Sequence, residues 1–203
     1  MTFLYLCKNI VIMISIEKTI QDSIDVKQLI INDKTLVERI NKAAEMCIES
    51  LKSGGKIHFC GNGGSAADAQ HLAAELSGRF NYDRPPLNAE ALHVNTSYLT
   101  AVANDYSYDM IYARMLQASA KKGDVLIGIS TSGNSANILK SIEIAKEIGV
   151  RTIAMTGETG GKMADCCNIL INVPSKCTPR IQESHIMIGH IICEIIEATI
   201  FPR

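Results

Sequence analysis

Positive charge is not in excess in this chain: 20 Lys and Arg stand against 21 Asp and Glu, giving a formal net charge of −1 over 203 residues, and no basic run breaks the balance. A protein whose main partner is nucleic acid carries a basic footprint, so small-molecule chemistry is the better expectation. Cys-x-x-Cys pairs are also missing, although seven cysteines are present. That excludes zinc ribbons and dithiol redox motifs, and an odd number of scattered thiols fits a reducing, cytoplasmic setting. Adjacent Cys166 and Cys167 are read as small, partly buried side chains beside a loop. There is no Gly-Lys-Ser/Thr, which excludes a P-loop. No apolar run is long enough to span a bilayer. The N-terminal MTFLYLCKNIVIMI is interrupted by Lys8-Asn9 and lacks both a basic region before it and a small-residue cleavage site after it. No membrane association is expected. Residues 1–14 are expected to be an N-terminal extension, with either Met13 as the true start or the stretch an arm packing on a partner. Residues 15–203, without repeats, low-complexity segments or long linkers, are expected to form one domain.

What is present centres on CGNGGSAADAQHLAAE, Cys60 to Glu75. It follows a short apolar run at 56–60 and leads into good helix formers. A strand, a glycine turn and a helix in that order leave N–H groups of Gly63, Gly64 and Ser65 free to meet an anion. His71 and Glu75 lie four residues apart, so they share a face of that helix. Taken alone, each is as well read as a hydrogen-bonded or solvated helix residue.

Upstream, Leu29, Val37, Ile40, Ala44, Cys47 or Ile48 and Leu51 recur at helical spacing over 16–53, with a break near Asn32-Asp33 and a stop at Ser53-Gly54-Gly55. Downstream, short apolar runs alternate with helical stretches, which predicts an α/β fold with a parallel sheet. Strands are expected at 56–60, 90–94, 124–129, 151–155 and 168–173. In the strand order 2-1-3-4-5 the loops after the first and third strands meet at the topological switch point, where ligands bind. The loop after the third strand reads Ser130-Thr131-Ser132-Gly133-Asn134-Ser135. Its hydroxyls and the helix start behind it suit phosphate oxygens without a lysine, although a plain capping loop has the same composition. Gly61–Ala66 formally fits G-x-G-x-x-A, but His93-Val94-Asn95 stands where a dinucleotide site needs an acid.

The last helical stretch, 180–200, carries isoleucines around nearly its whole circumference, more than one domain is expected to bury, so this helix, with the N-terminal one, is predicted to pack between protomers. Gln182 and His190 lie on it, eight residues and about 12 Å of rise apart at ~1.5 Å per residue, and must lean together to reach one ion. His58 and His93 are read as packed in the fold. His185, one turn from Gln182, stays open between both roles.

The stretches CGNGGSAADAQHLAAELSGRF, VANDYSYD, DVLIGISTSGNSANI and RIQESHIMIGH resemble the sugar isomerase (SIS) family over about residues 20–200. The serine loop marks the family at large, whereas His71 with Glu75 and Gln182 with His190 mark its heptose-phosphate branch. The resemblance implies a flavodoxin-like doubly wound sandwich with five parallel strands and long N- and C-terminal helices. It implies that Asn62, Gly63, Gly64, Glu75, Asn104, Asp105, Ser130, Thr131, Ser132, Ser135 and Gln182 hold a sugar phosphate. It further implies His71, Glu75, Gln182 and His190 as ligands of one zinc per subunit, Glu75 and His190 as the acid/base pair, and a homotetramer with sites at subunit contacts. The activity so implied is conversion of sedoheptulose 7-phosphate to D-glycero-D-manno-heptose 7-phosphate, towards lipopolysaccharide or other surface polysaccharide. Moving a proton between C1 and C2 through an ene-diol needs a base near the carbons and an acid at the carbonyl, roles that a carboxylate and an imidazole can divide. The alternatives are a non-catalytic phosphosugar-binding regulator of the initiator-associating type, a branch that does not keep the Glu75 carboxylate, and an isomerase of another phosphosugar.

Overall fold

Strand β1, Ile57–Gly61, and strand β3, Val125–Ile129, are buried along their whole length. A parallel strand is covered by helices on both faces, and side chains alternate between those faces. Thus Ile57, Phe59, Val125 and Ile127 enter one apolar cluster. Cys60 and Leu126 enter the other. The structure, a computed structural model, describes residues 15–203, so the reading of residues 1–14 as an extension lies outside the described residues.

Strands β2, Ala89–Ala91, β4, Arg151–Thr156, and β5, Ile169–Asn172, complete a five-stranded parallel sheet in the order β2-β1-β3-β4-β5, as expected. The second strand is shorter than the predicted 90–94, because Leu92 and His93 already turn away towards the next helix. Helices α1, Ile16–Asn32, α2, Lys34–Lys52, α3, Gly64–Ser77, and α7, Thr178–Ile200, contribute to the first cluster. Helices α4, Thr96–Asp105, α5, Ile111–Ser119, and α6, Ala136–Glu147, cover the opposite face. The break near residue 33 has a local cause. Asp33 ends α1, and its carboxylate accepts from Leu36 N–H at 3.0 Å to cap α2.

A single protomer buries more of α7 than its composition led us to expect. Ile188, Ile192 and Ile196 are buried within the protomer, and Ile186, Ile195 and Ile200 pack partly against the same core. This is possible because α1, α2 and α3 surround α7 on several sides. Among its isoleucines Ile191, at 37% exposure, stands out, whereas α1 leaves Ile16, Ile20, Ile24 and Ile31 between 50% and 72% exposed. The unburied apolar surface therefore lies mainly on the first helix.

Candidate active site

The loop after β1 and the loop after β3 meet at the switch point of the sheet. There Asn62, Ser65, Ser130, Ser132, Ser135 and Gln182 line a cavity of about 110 Å³. The Ser130 hydroxyl oxygen lies 2.8 Å from that of Ser135 and 3.5 Å from that of Ser132. Three hydroxyls converging at the mouth of α6 form a neutral cradle whose protons can all turn towards an anion. Thr131 lines the same cavity, and its carbonyl accepts from Gly157 N–H at 2.9 Å, which ties the loop to the end of β4.

The glycine loop approaches this cradle from the other side. A side chain at Gly64 would lie 2.5 Å from Gln182 Nε2, so only glycine lets the Gln182 amide rest on the start of α3. Ser65, however, does not offer the free backbone donor expected of it: its N–H donates to Asn62 O at 3.0 Å, closing a tight first turn. Its contribution is to the cavity wall. Asn62 is fixed by Asn137, each amide nitrogen donating to the other's oxygen at 2.9 Å, and Tyr108 Oη donates to Asn62 Oδ1 at 3.1 Å. Sequence reading missed Asn137 and Tyr108. Both act over long chain separations, 46 residues for Tyr108 and 75 for Asn137.

Asn104 and Asp105 are not gathered into the cavity. They end α4 on the surface, where Asn104 Nδ2 donates to Asp105 Oδ1 at 2.9 Å. Tyr108, three residues on, links that segment to the glycine loop.

His71 and Glu75 on α3 and His190 on α7 come together, with donor atoms all within 4.8 Å of one another. His71 Nε2 lies 2.9 Å from His190 Nε2 and 3.1 Å from Glu75 Oε1. Two imidazole lone pairs facing each other repel unless a proton or a cation sits between them, so this donor set suits a metal ion. Two nitrogens and a carboxylate oxygen, with a position left open, match the ligand types of catalytic zinc. Gln182 stands two turns before His190 with its amide on Gly64 and in the serine-lined cavity, so it borders the hydroxyl cradle. The His71 side chain is half exposed on the isolated protomer.

The other histidines are structural. His58 is buried and its Nε2 lies 3.2 Å from Asp124 Oδ2, as expected of a packed residue. His93 sits edge-on to the Tyr112 ring. The open question over His185 resolves towards packing: it is fully buried, turned to Thr156 O at 3.0 Å, and faces the sheet rather than the cavity.

A doubly wound sheet with a hydroxyl cradle at its switch point defines a phosphosugar-binding class, and comparison agrees. The family model described as SIS domain matches residues 25–157, and the chain belongs to this family. Within it, the chain is similar to the phosphoheptose isomerase of Aneurinibacillus thermoaerophilus, at 54% identity over 92% of this chain and 94% of that protein. It is also similar to that of Mycobacterium bovis, at 53% identity over 92% of this chain and 96% of its relative. Among solved structures, phosphoheptose isomerase from Neisseria gonorrhoeae superposes with a TM-score of 0.84 at 45% identity, covering 90% of this chain and 96% of that one. The enzyme from Francisella tularensis superposes with a TM-score of 0.85 at 38% identity, covering 89% and 95%.

Proposed function

We propose that this chain is an aldose–ketose isomerase that converts sedoheptulose 7-phosphate to D-glycero-D-manno-heptose 7-phosphate, a step towards the heptose of lipopolysaccharide or other surface polysaccharide. The observation that carries this reading is the convergence of His71, Glu75 and His190 beside a cavity lined by serine hydroxyls. A binding module needs the second feature but not the first. The presence of Glu75 in the cluster therefore favours catalysis over the regulatory alternative.

In this reading Ser130, Thr131, Ser132 and Ser135 take the phosphate, with Asn62, Gly63, Gly64 and Gln182 along the sugar chain, whereas Asn104 and Asp105 lie outside the cavity of this protomer. Fixing the far end holds C1 and C2 at the acid/base pair and removes much of the entropic part of the barrier. Glu75 takes the proton from C1 and returns it at C2. His190 donates to O2 as the carbonyl becomes the ene-diol hydroxyl and then accepts from O1 as the aldehyde forms. An imidazole suits the oxygen exchange because it can both donate and accept a proton. His71, Glu75, Gln182 and His190 would hold one zinc ion, which when bound supplies Lewis-acid stabilisation of negative charge on the sugar oxygens. We further place the protein in the cytoplasm as a homotetramer. The six cysteines of the described residues are all free. Among those residues no helix is long and apolar enough to cross a membrane. The exposed isoleucines of α1 and the open side of His71 give a second subunit something to cover.

The test is turnover of sedoheptulose 7-phosphate by purified protein as isolated, after chelation, and after zinc is restored, together with Glu75→Gln. Activity is expected to vanish with chelator, to return with zinc, and to fall ~10²–10⁴-fold in Glu75→Gln while substrate still binds. Glu75→Gln with full turnover removes the role given to that carboxylate. Tight binding without turnover under every condition returns the reading to a regulatory module.

A further inference from the structure

A buried ion pair outside the acid/base and phosphate machinery joins the loop that follows α3 to helix α7. Arg84 and Glu197 are 2% and 1% exposed and lie 3.0 Å apart, Nε to Oε1, across 113 residues of chain. Burying two charges is unfavourable unless further hydrogen bonds complete them. Here those bonds go to specific places. The Arg84 guanidinium donates to Glu75 O at 2.8 Å, Leu76 O at 2.8 Å and Gly78 O at 2.9 Å, capping the carbonyls at the end of α3. Glu197 accepts from Phe80 N–H at 2.9 Å and Asn81 N–H at 2.7 Å.

Both ends of this bridge lead to the metal-type cluster. Glu75 supplies one donor of that cluster, and its own backbone carbonyl is held by Arg84. Glu197 stands seven residues after His190 on α7, two turns along the same face. Phe80, whose N–H is fixed by Glu197, places its ring 5.6 Å from the His190 ring, centroid to centroid. Beyond the His71–His190 contact and the Gln182 amide on Gly64, helices α3 and α7 meet through apolar contacts such as Leu72 against Gly189, which hold two helices together but tolerate small slides. A forked guanidinium bonded to carbonyls of one helix and a carboxylate of the other fixes direction as well as distance.

We propose that Arg84 and Glu197 are positioning residues, a clamp between α3 and α7 that sets the spacing of His71, Glu75 and His190. The inference rests on the metal reading of that cluster for its effect on zinc, and on geometry alone for its effect on spacing.

The experiment compares the wild-type protein with Arg84→Met/Glu197→Leu, which removes both charges together and so strands neither in the interior. Arg84→Lys is included because it keeps the charge and loses the fork. Zinc affinity is measured by chelator competition, the His71–His190 separation by crystallography, and folding by a cooperative urea transition. The double variant is expected to fold, to bind zinc ~10-fold or more weakly, and to show the two imidazoles moved apart, with Arg84→Lys failing to restore either. A folded double variant with wild-type affinity and unchanged spacing overturns the clamp. Should the double variant not fold, Glu197→Gln keeps a single acceptor oxygen for the Phe80 and Asn81 N–H groups and removes the charge that pairs with Arg84, and the same two readouts apply to it. A wild-type protein that binds no zinc would defeat the metal reading. The spacing then decides by itself, a widened pair supporting the clamp and an unchanged one overturning it.

Discussion

At the scale of single residues, histidine shows how far one-dimensional reading reaches. Residue type alone does not separate His71 and His190 from His185, which shares a helix with His190; spacing to Glu75 raised the first, and the family resemblance raised both. The fold separates them by burial. The His185 ring is enclosed, donates from Nε2 to Thr156 O and has no partner for its buried Nδ1. Burial pushes its pKa down to about 4, the hydrogen bond only partly opposing this. His58 is pushed in the same direction by burial, against the pull of Asp124. A histidine held neutral in the fold and free to protonate when unfolded, near pH 6.5, makes the unfolded state bind more protons between those two values. The stabilising contribution is therefore complete above pH ~6.5 and is lost as pH falls, by roughly 1.4 kcal/mol per unit and about 3 kcal/mol in all for His185. Urea unfolding between pH 7 and 5, above the range in which carboxylates such as Glu197 protonate, should show the wild-type midpoint falling. In His185→Gln, which retains a donor for Thr156 and cannot titrate, the fall should be smaller. Equal slopes in the two proteins would exclude His185 as a source.

At the scale of elements, strand positions and sheet order were legible because buried parallel strands are short apolar runs between turn residues. The break between α1 and α2 was legible because Asp33 is itself the cap. Long-range partners were not. Nothing near Arg84 in the chain points to Glu197, and nothing near Asn62 points to Asn137, since each pairing exists only after the sheet has formed. The same holds for the crossing of α3 and α7. A methyl group at Gly189 would stand 2.5 Å from Leu72 Cδ1, and Leu72 is buried, so the helices approach as closely as they do because position 189 has no side chain. His71 and His190 flank this contact in sequence. Gly189→Ala is expected to cost about 1–3 kcal/mol, helix propensity recovering less than the overpacking removes. The loss should appear in the urea midpoint, and turnover should fall with it because the spacing of the two imidazoles depends on the same crossing. A variant as stable and as active as wild type would mean that Leu72 yields freely.

At the scale of the whole molecule, the sequence pointed to surplus apolar surface on the last helix together with the first, and the fold leaves it mainly on the first. Periodicity reports how much of a helix is apolar but not which neighbours will cover it, and α7 turned out to be surrounded. Ile16, Ile20, Ile24 and Ile31 follow one another at steps of four, four and seven residues, a single stripe on α1, and an apolar groove of about 410 Å³ continues it between α1, α2 and α7 past Ile191. Covering five isoleucines at about 1.5–3 kcal/mol each, discounted by roughly half for their partial exposure, offers several kcal/mol per protomer, of the same order as the ~4–15 kcal/mol that association costs. Removing two of them should thus tip the balance. Ile20→Glu/Ile24→Glu changes only exposed positions, so the protomer should remain folded while sedimentation velocity shows a species smaller than the wild-type assembly. If the open side of His71 is completed by a neighbouring subunit, turnover should fall in proportion to the dissociated fraction and recover at high protein concentration. A folded variant that keeps the wild-type sedimentation coefficient would show that the stripe is not the contact, and a dissociated variant with full activity would show that each protomer carries a complete site.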